Sequence, residues 1–136
     1  MKSKIDTLIP FAVKAIQVNL VKENLVVDKE YVGYISSFAT GIRQSGLLAT
    51  VAMFSNSTQG KEAKEVKEGL ATKHTLDPKN ILNAILHILR QESTIEEKNL
   101  FDYLLANQDN ALLRKQIENA AIAIKLSLRT FNLVKS

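Results

Sequence analysis

Apolar residues recur at helical spacing through almost the whole chain, and clean two-residue alternation is almost absent. One dominant period of this kind predicts an all-α fold, a single-domain bundle of six to seven helices joined by short loops and spanning residues 1–136. With 136 residues the chain can bury one core of useful size but not two ordinary ones. Its 46% hydrophobic and 24% charged residues, with two prolines and five glycines, supply enough apolar surface for order rather than disorder.

Helix boundaries follow from capping residues and breakers. Asp6 or Thr7 can open the first helix, which places Pro10 in the first turn, where a missing amide costs little. Its apolar stripe is Leu8, Ile9, Ala12, Ile16 and Leu20. Asp28 is a suitable N-cap for a second helix carrying Tyr31, Ile35, Phe38, Ala39 and Ile42 on one face, and Gly46 ends it as a left-handed C-cap. A short apolar helix follows through Leu47, Leu48, Val51, Ala52 and Phe54, then a loop over Ser55–Gly60. Residues 61–73 read as an exposed helix supported by Lys61–Glu65 and Lys64–Glu68 pairs. Asp77–Pro78 starts a helix that buries Ile81, Leu82, Ile85, Ile88 and Leu89. Thr94 and Glu97 form a capping box for a helix carrying Leu100, Phe101, Leu104 and Leu105, and Asn107–Asn110 is the next break.

The last helix, about residues 111–131, carries two apolar stripes. Leu113, Ile117, Ala120, Ile124, Leu128 and Phe131 form one, while Ile122, Leu126 and Leu133 lie well round the cylinder. Arg114, Glu118, Lys125 and Arg129 run between them. A helix apolar on two sides is either central in its own domain or uses its second side on a partner.

The net charge of +4 is uneven, with about +2 over residues 1–60, −2 over 61–110 and +4 over 111–136. Five cations against one acid in the last 26 residues mark a surface that suits a polyanion. Arg43, on the flank of the second helix beside Ser36 and Thr40, joins Arg114, Lys125 and Arg129 as a candidate phosphate contact. Each also reads as ordinary helix-surface charge, with Arg114 satisfied by Glu118 at i+4.

Several classes of chemistry have no support. Without cysteine there are no disulfides, thiolate metal sites or cysteine nucleophiles, and a reducing cytoplasm is the expected location. Lys2 and Lys4 precede an apolar stretch that Pro10 and Lys14 interrupt, with no small-residue cleavage site, so secretion is not expected. No run of about 18 apolar residues predicts a membrane span. His74, in a loop, and His87, on the polar side of its helix, lack ligand-type partners at i+4 and read as solvated surface histidines. Ser36, Ser37 and Ser45 have no glycine-flanked elbow and no neighbouring base, and the carboxylates at Glu62, Glu65, Glu68, Glu96 and Glu97 sit among lysines as exposed charge. The glycines are scattered, so no phosphate-binding loop forms. No catalytic residue, metal, cofactor or small-molecule substrate is expected.

Two segments, Glu30–Phe54 (EYVGYISSFATGIRQSGLLATVAMF) and Ala120–Leu133 (AAIAIKLSLRTFNL), resemble the small subunit of the type III-B CRISPR effector, the Cmr complex. The matching features are the aromatic-to-Ser-Phe helix, the helix break from Ile42 to Leu47 with its apolar continuation, and a lysine-containing last helix ending in Arg129, Thr130 and Phe131. Ile9–Pro10 entering the first helix is similar too. The resemblance covers about two fifths of the chain, and residues 55–110 share only helical character. Many members carry a tryptophan and an adjacent Lys-Arg pair in the last helix, whereas this chain has no tryptophan and spreads its basic residues to Lys125 and Arg129.

The resemblance implies a non-catalytic helical subunit that stacks on further copies of itself and on the backbone and other subunits of the complex. It also implies a place along the guide and target RNA, with target cleavage left to the backbone subunit. Three alternatives stay open: a helical protein-interaction adaptor without nucleic-acid contact, the analogous small subunit of a type III-A complex, and a helical hydrolase.

Overall fold

Six helices and one pair of three-residue strands make up the regular structure of the residues that the computed structural model describes, 4–22, 26–55 and 76–135. In chain order they are α1 (Lys4–Asn19), β1 (Val26–Asp28), α2 (Glu30–Ser45), α3 (Leu47–Ser55), α4 (Lys79–Leu89), α5 (Leu100–Ala106), α6 (Leu113–Leu128) and β2 (Asn132–Val134). The helical class read from the periodicity is the observed one. The lysine and glutamate stretch at 61–73, His74 and the 56–60 part of the expected loop lie outside the described residues.

Apolar spacing accounts for the packing. Leu8, Ala12, Ala15 and Ile16 form the buried side of α1, which packs most extensively on α6 and then on α4. Tyr31, Ile35, Phe38 and Ile42 form that of α2. In α4, seven of the eleven residues are buried, and the helix touches α1, α2, α3, α5 and α6, so it occupies the centre of the core. All five of its expected core residues are buried, together with Ala84 and Leu86.

Local capping differs from expectation in four places. Helix α1 already includes Lys4, so Pro10 is seventh among its described residues rather than in a first turn opened by Asp6 or Thr7. Asp28 does not cap α2. It ends β1, buried, with Oδ1 2.7 Å from Lys22 Nζ, and Lys29 holds the N-cap position without a side-chain cap bond. Thr94 and Glu97 form no box: Asn99 caps α5, its Oδ1 accepting from the Asp102 amide at 2.8 Å while its Nδ2 donates to Asp102 Oδ2 at 3.2 Å. The 94–97 segment is instead tied to α4 by Arg90, which donates to the Glu97 carbonyl at 2.7 Å. Gly46 has the expected positive φ, 98°, but its ψ of 159° is the mirror-extended region rather than the left-handed helical one. Only glycine takes that conformation freely. Its amide bonds back to Ile42 while its carbonyl accepts from the Thr50 amide and hydroxyl, so one residue closes α2 and opens α3.

The strands were not legible from periodicity, because three residues carry no measurable alternation. β1 and β2 pair in parallel, Val26 opposite Asn132, Val27 opposite Leu133 and Asp28 opposite Val134. A parallel pair needs a crossover, and here the helices α2 to α6 supply it. The last helix is accordingly shorter than 111–131. It ends at Leu128, with Phe131 in the turn that follows and Leu133 in β2. Ser55 belongs to α3 rather than to the loop, and Leu105 of α5 is exposed.

Candidate nucleic-acid interface

Helix α6 contains neither glycine nor proline, and its first turn is held by Asn110, whose Oδ1 accepts from the Leu112 amide at 3.0 Å. Beyond its last turn, the Thr130 hydroxyl donates to the Ser127 carbonyl at 2.7 Å. Eight of its sixteen residues are buried, and they occupy one side: Leu113, Ile117, Ala120, Ala121, Ala123, Ile124, Ser127 and Leu128. At about 100° per residue, Arg114, Lys125, Glu118 and Arg129 fall within roughly 60° of arc between that buried side and the exposed Ile122 and Leu126, and run about 22 Å along the axis. Ile122 and Leu126 lie next to them on the outward side, 42% and 48% exposed.

The structure therefore brings three of the four candidate cations onto one ridge. Arg114 is exposed and engaged, its Nε donating to Glu118 Oε2 at 3.4 Å. Lys125 and Arg129 have no ion pair among the described residues. Their position at the C-terminal end of α6 suits the negative pole of the helix, which stabilises cations there by about 0.3–1 kcal/mol. Arg114 stands at the positive pole, where the helix gives no such support. Arg43, exposed in the last turn of α2, makes no ion pair with the ridge and shares its surface with polar residues of α2. Beside it, Ser36, Ser37, Thr40, Gln44 and Ser45 line a shallow cleft closed by Met53 and Phe54 of α3.

Lys115 stands beside the ridge, between Ile122 and Leu126, and is not among the candidates. It is exposed on the outward side of α6, seven residues before Ile122. Projecting that helix alone would have found it, since its angle falls between those of Ile122 and Leu126.

Outside the ridge, the polar groups serve structure. Tyr31, buried in α2, accepts from the Asp77 amide at 3.3 Å and from Asn80 Nδ2 at 2.9 Å, fixing where the chain enters α4. Burial pushes its phenol up to about 12, against the lowering effect of those bonds. His87 is half-buried rather than a solvated surface histidine. It faces α1, and desolvation first, then the Lys14 and Arg90 charges, lowers its pKa. Among the described residues, no three His, Asp or Glu side chains are placed to hold a metal ion, and no helix is long and apolar enough to cross a membrane.

Residues 10–124 match the family described as CRISPR-associated protein (Cas_Cmr5), and the chain belongs to that family, the small subunits of type III-B CRISPR effector (Cmr) complexes. The match takes in the whole Glu30–Phe54 segment but ends at Ile124, before Lys125 and Arg129. No curated protein and no solved structure matches the chain.

Proposed function

We propose that this protein is a non-catalytic subunit that stacks with copies of itself along the backbone of a Cmr complex and turns the α6 ridge toward the phosphates of the guide and target RNA. The observation that carries the reading is the outer flank of α6, where Lys125 and Arg129 stand without ion-pair partners among the described residues and in line with Arg114. Cations in a row meet a polyanion through counterion release, which needs no base recognition and gives backbone contact independent of sequence. Ile122 and Leu126, beside the ridge, suit a protein surface such as a backbone subunit, so one helix face meets both RNA and protein.

The test is co-expression with the other subunits and a guide RNA, comparing the native chain with a Lys125→Ala/Arg129→Ala variant. The native chain is expected to co-elute in an RNA-containing particle, and the variant to assemble equally well. The variant's target-RNA affinity is expected to fall, with the log–log salt slope shallower by about 1.4 for two lost contacts on a single strand. Unchanged affinity and slope would remove the ridge as an RNA contact. Elution of the native chain alone would sink the subunit reading itself.

A further inference from the structure

Arg114, the N-terminal member of the cationic ridge, also lines a cleft of about 300 Å³ where the start of α3, the end of α5 and the turn into α6 meet. Leu47, Leu48, Leu104 and Leu113 supply its apolar part, and no acid is among its lining residues. The clefts beside Asn80, Thr40 and His87 contain no residue of the ridge. Arg114 uses only Nε on Glu118, so both of its Nη groups lack a partner among the described residues.

Three amide side chains of the α5–α6 turn, Asn107, Gln108 and Asn110, line the same cleft. Each is half used within the turn. Asn107 Nδ2 donates to the Tyr103 carbonyl at 2.8 Å and Gln108 Nε2 to the Leu105 carbonyl at 3.4 Å, while Asn110 Oδ1 accepts from the Leu112 amide at 3.0 Å. Two side-chain oxygens, of Asn107 and Gln108, and one amino group, of Asn110, are left without partners among the described residues. An apolar side chain from a protein partner would fill the leucine-lined part but take water from these amides without replacing it, which is a cost. A flat aromatic ring with polar groups along one edge satisfies both parts, and the Arg114 cation suits a ring that carries a phosphate.

We propose that this cleft takes one unpaired guanine of the RNA strand whose phosphates follow the ridge, its ring against the leucines, its edge on Asn107, Gln108 and Asn110, and its phosphate on Arg114. This deepens the function proposed above and rests on the ridge being an RNA contact. Only an unpaired nucleotide can offer its pairing edge to a protein. The pairing edge of guanine carries two N–H donors, one on the ring and one on the exocyclic amino group, next to one carbonyl acceptor. That is the complement of two amide oxygens and one amide amino group. The pairing edges of adenine, cytosine and uracil each present a single donor, which leaves either Asn107 or Gln108 unmatched. The ridge needs no base recognition, and the cleft adds it at one nucleotide.

The test is an NMR titration of the isotope-labelled full chain at low salt with short uridine RNAs that carry guanosine, adenosine, cytidine or uridine at the centre. All of them are expected to shift the signals of Lys125 and Arg129. Only the guanosine RNA should shift the side-chain amides of Asn107, Gln108 and Asn110, and it should bind about tenfold more tightly. Inosine at the centre, which lacks the exocyclic amino group, should lose most of that gain. A Gln108→Ala chain should lose it too, with its affinity for the uridine RNA unchanged. Amide signals that respond equally to every RNA, or to none, would overturn the base site and, with Lys125 and Arg129 still shifting, leave the ridge standing. Shifts at the cleft without shifts at Lys125 and Arg129 would keep the base site and remove the ridge. Guanosine monophosphate binding as tightly as the guanosine RNA would make the cleft a free-nucleotide site and overturn the proposal. Failure of the Gln108→Ala chain to enter the co-expressed particle would make it a protein contact and overturn the proposal as well.

Discussion

Helices α4 and α6 present two solutions for a strongly apolar helix. In α4 the apolar residues go nearly all the way round, and its neighbours surround it, so both sides are core. In α6 the apolar residues divide into a buried side and the exposed pair Ile122 and Leu126, with cations between. The difference lies in charge placement. Along α4 the one cation is Lys79 at its start, whereas α6 has Arg114, Lys115, Glu118 and Lys125 on its outward side, which its own fold cannot cover without desolvating them. A second apolar stripe interleaved with charge is thus the mark of a helix with one side reserved for something outside its own core.

Truncation gives the largest expected contrast. Ile85→Ala, at a fully buried position of α4, should cost about 2–5 kcal/mol, because the lost transfer energy is compounded by the cavity left behind. Ile122→Ala should cost less than about 1 kcal/mol, since water already reaches that side chain. Urea denaturation of the two variants reads both numbers. Similar losses would mean that Ile122 is core and that α6 has no reserved side.

A smaller effect distinguishes the two buried sides. That of α4 is wholly apolar, while α6 buries Ser127, whose Oγ has no hydrogen-bond partner among the described residues. An unsatisfied buried hydroxyl is a cost, and alanine is the better helix former. Ser127→Ala is therefore expected to raise stability by about 1 kcal/mol. A loss of that size in the same denaturation experiment would show that the hydroxyl is bonded in solution.

The contrast between the helices was mostly legible in the sequence, because it depends on period and charge alone. Ile81, Leu82, Ile85, Ile88 and Leu89 follow from spacing, as do the two stripes of α6 and the order of Arg114, Glu118, Lys125 and Arg129 between them. What failed were choices among residues with equal local propensity. Asp28 is as good an N-cap as any, but Lys22 engages it in a buried ion pair, and only the folded chain brings the two together in that geometry. Thr94 with Glu97 and Asn99 with Asp102 are both capping patterns of the same spacing, and Arg90 decides between them by holding the Glu97 carbonyl. The β1–β2 pair depends on contact across more than a hundred residues. For the ridge, the sequence supplied the line of cations but not which of them are engaged, since the Glu118 contact of Arg114, and the lack of one for Lys125 and Arg129 among the described residues, are properties of side-chain placement.

The smallest expected effect concerns the one side of α4 that is not closed off. His87 there is half-buried against α1, and desolvation, Lys14 and Arg90 together hold its folded pKa below 6.5. On acidification the unfolded chain takes up this proton first. The stability that comes from keeping His87 neutral is therefore present above about pH 6.5 and is lost as pH falls through the folded value, after which the loss stays constant. The stability difference between the native chain and a His87→Gln variant should accordingly shift against the native chain between pH 7 and pH 5, by a small amount because the ring is partly solvated. A flat difference would mean that packing against α1 leaves His87 as it would be in water.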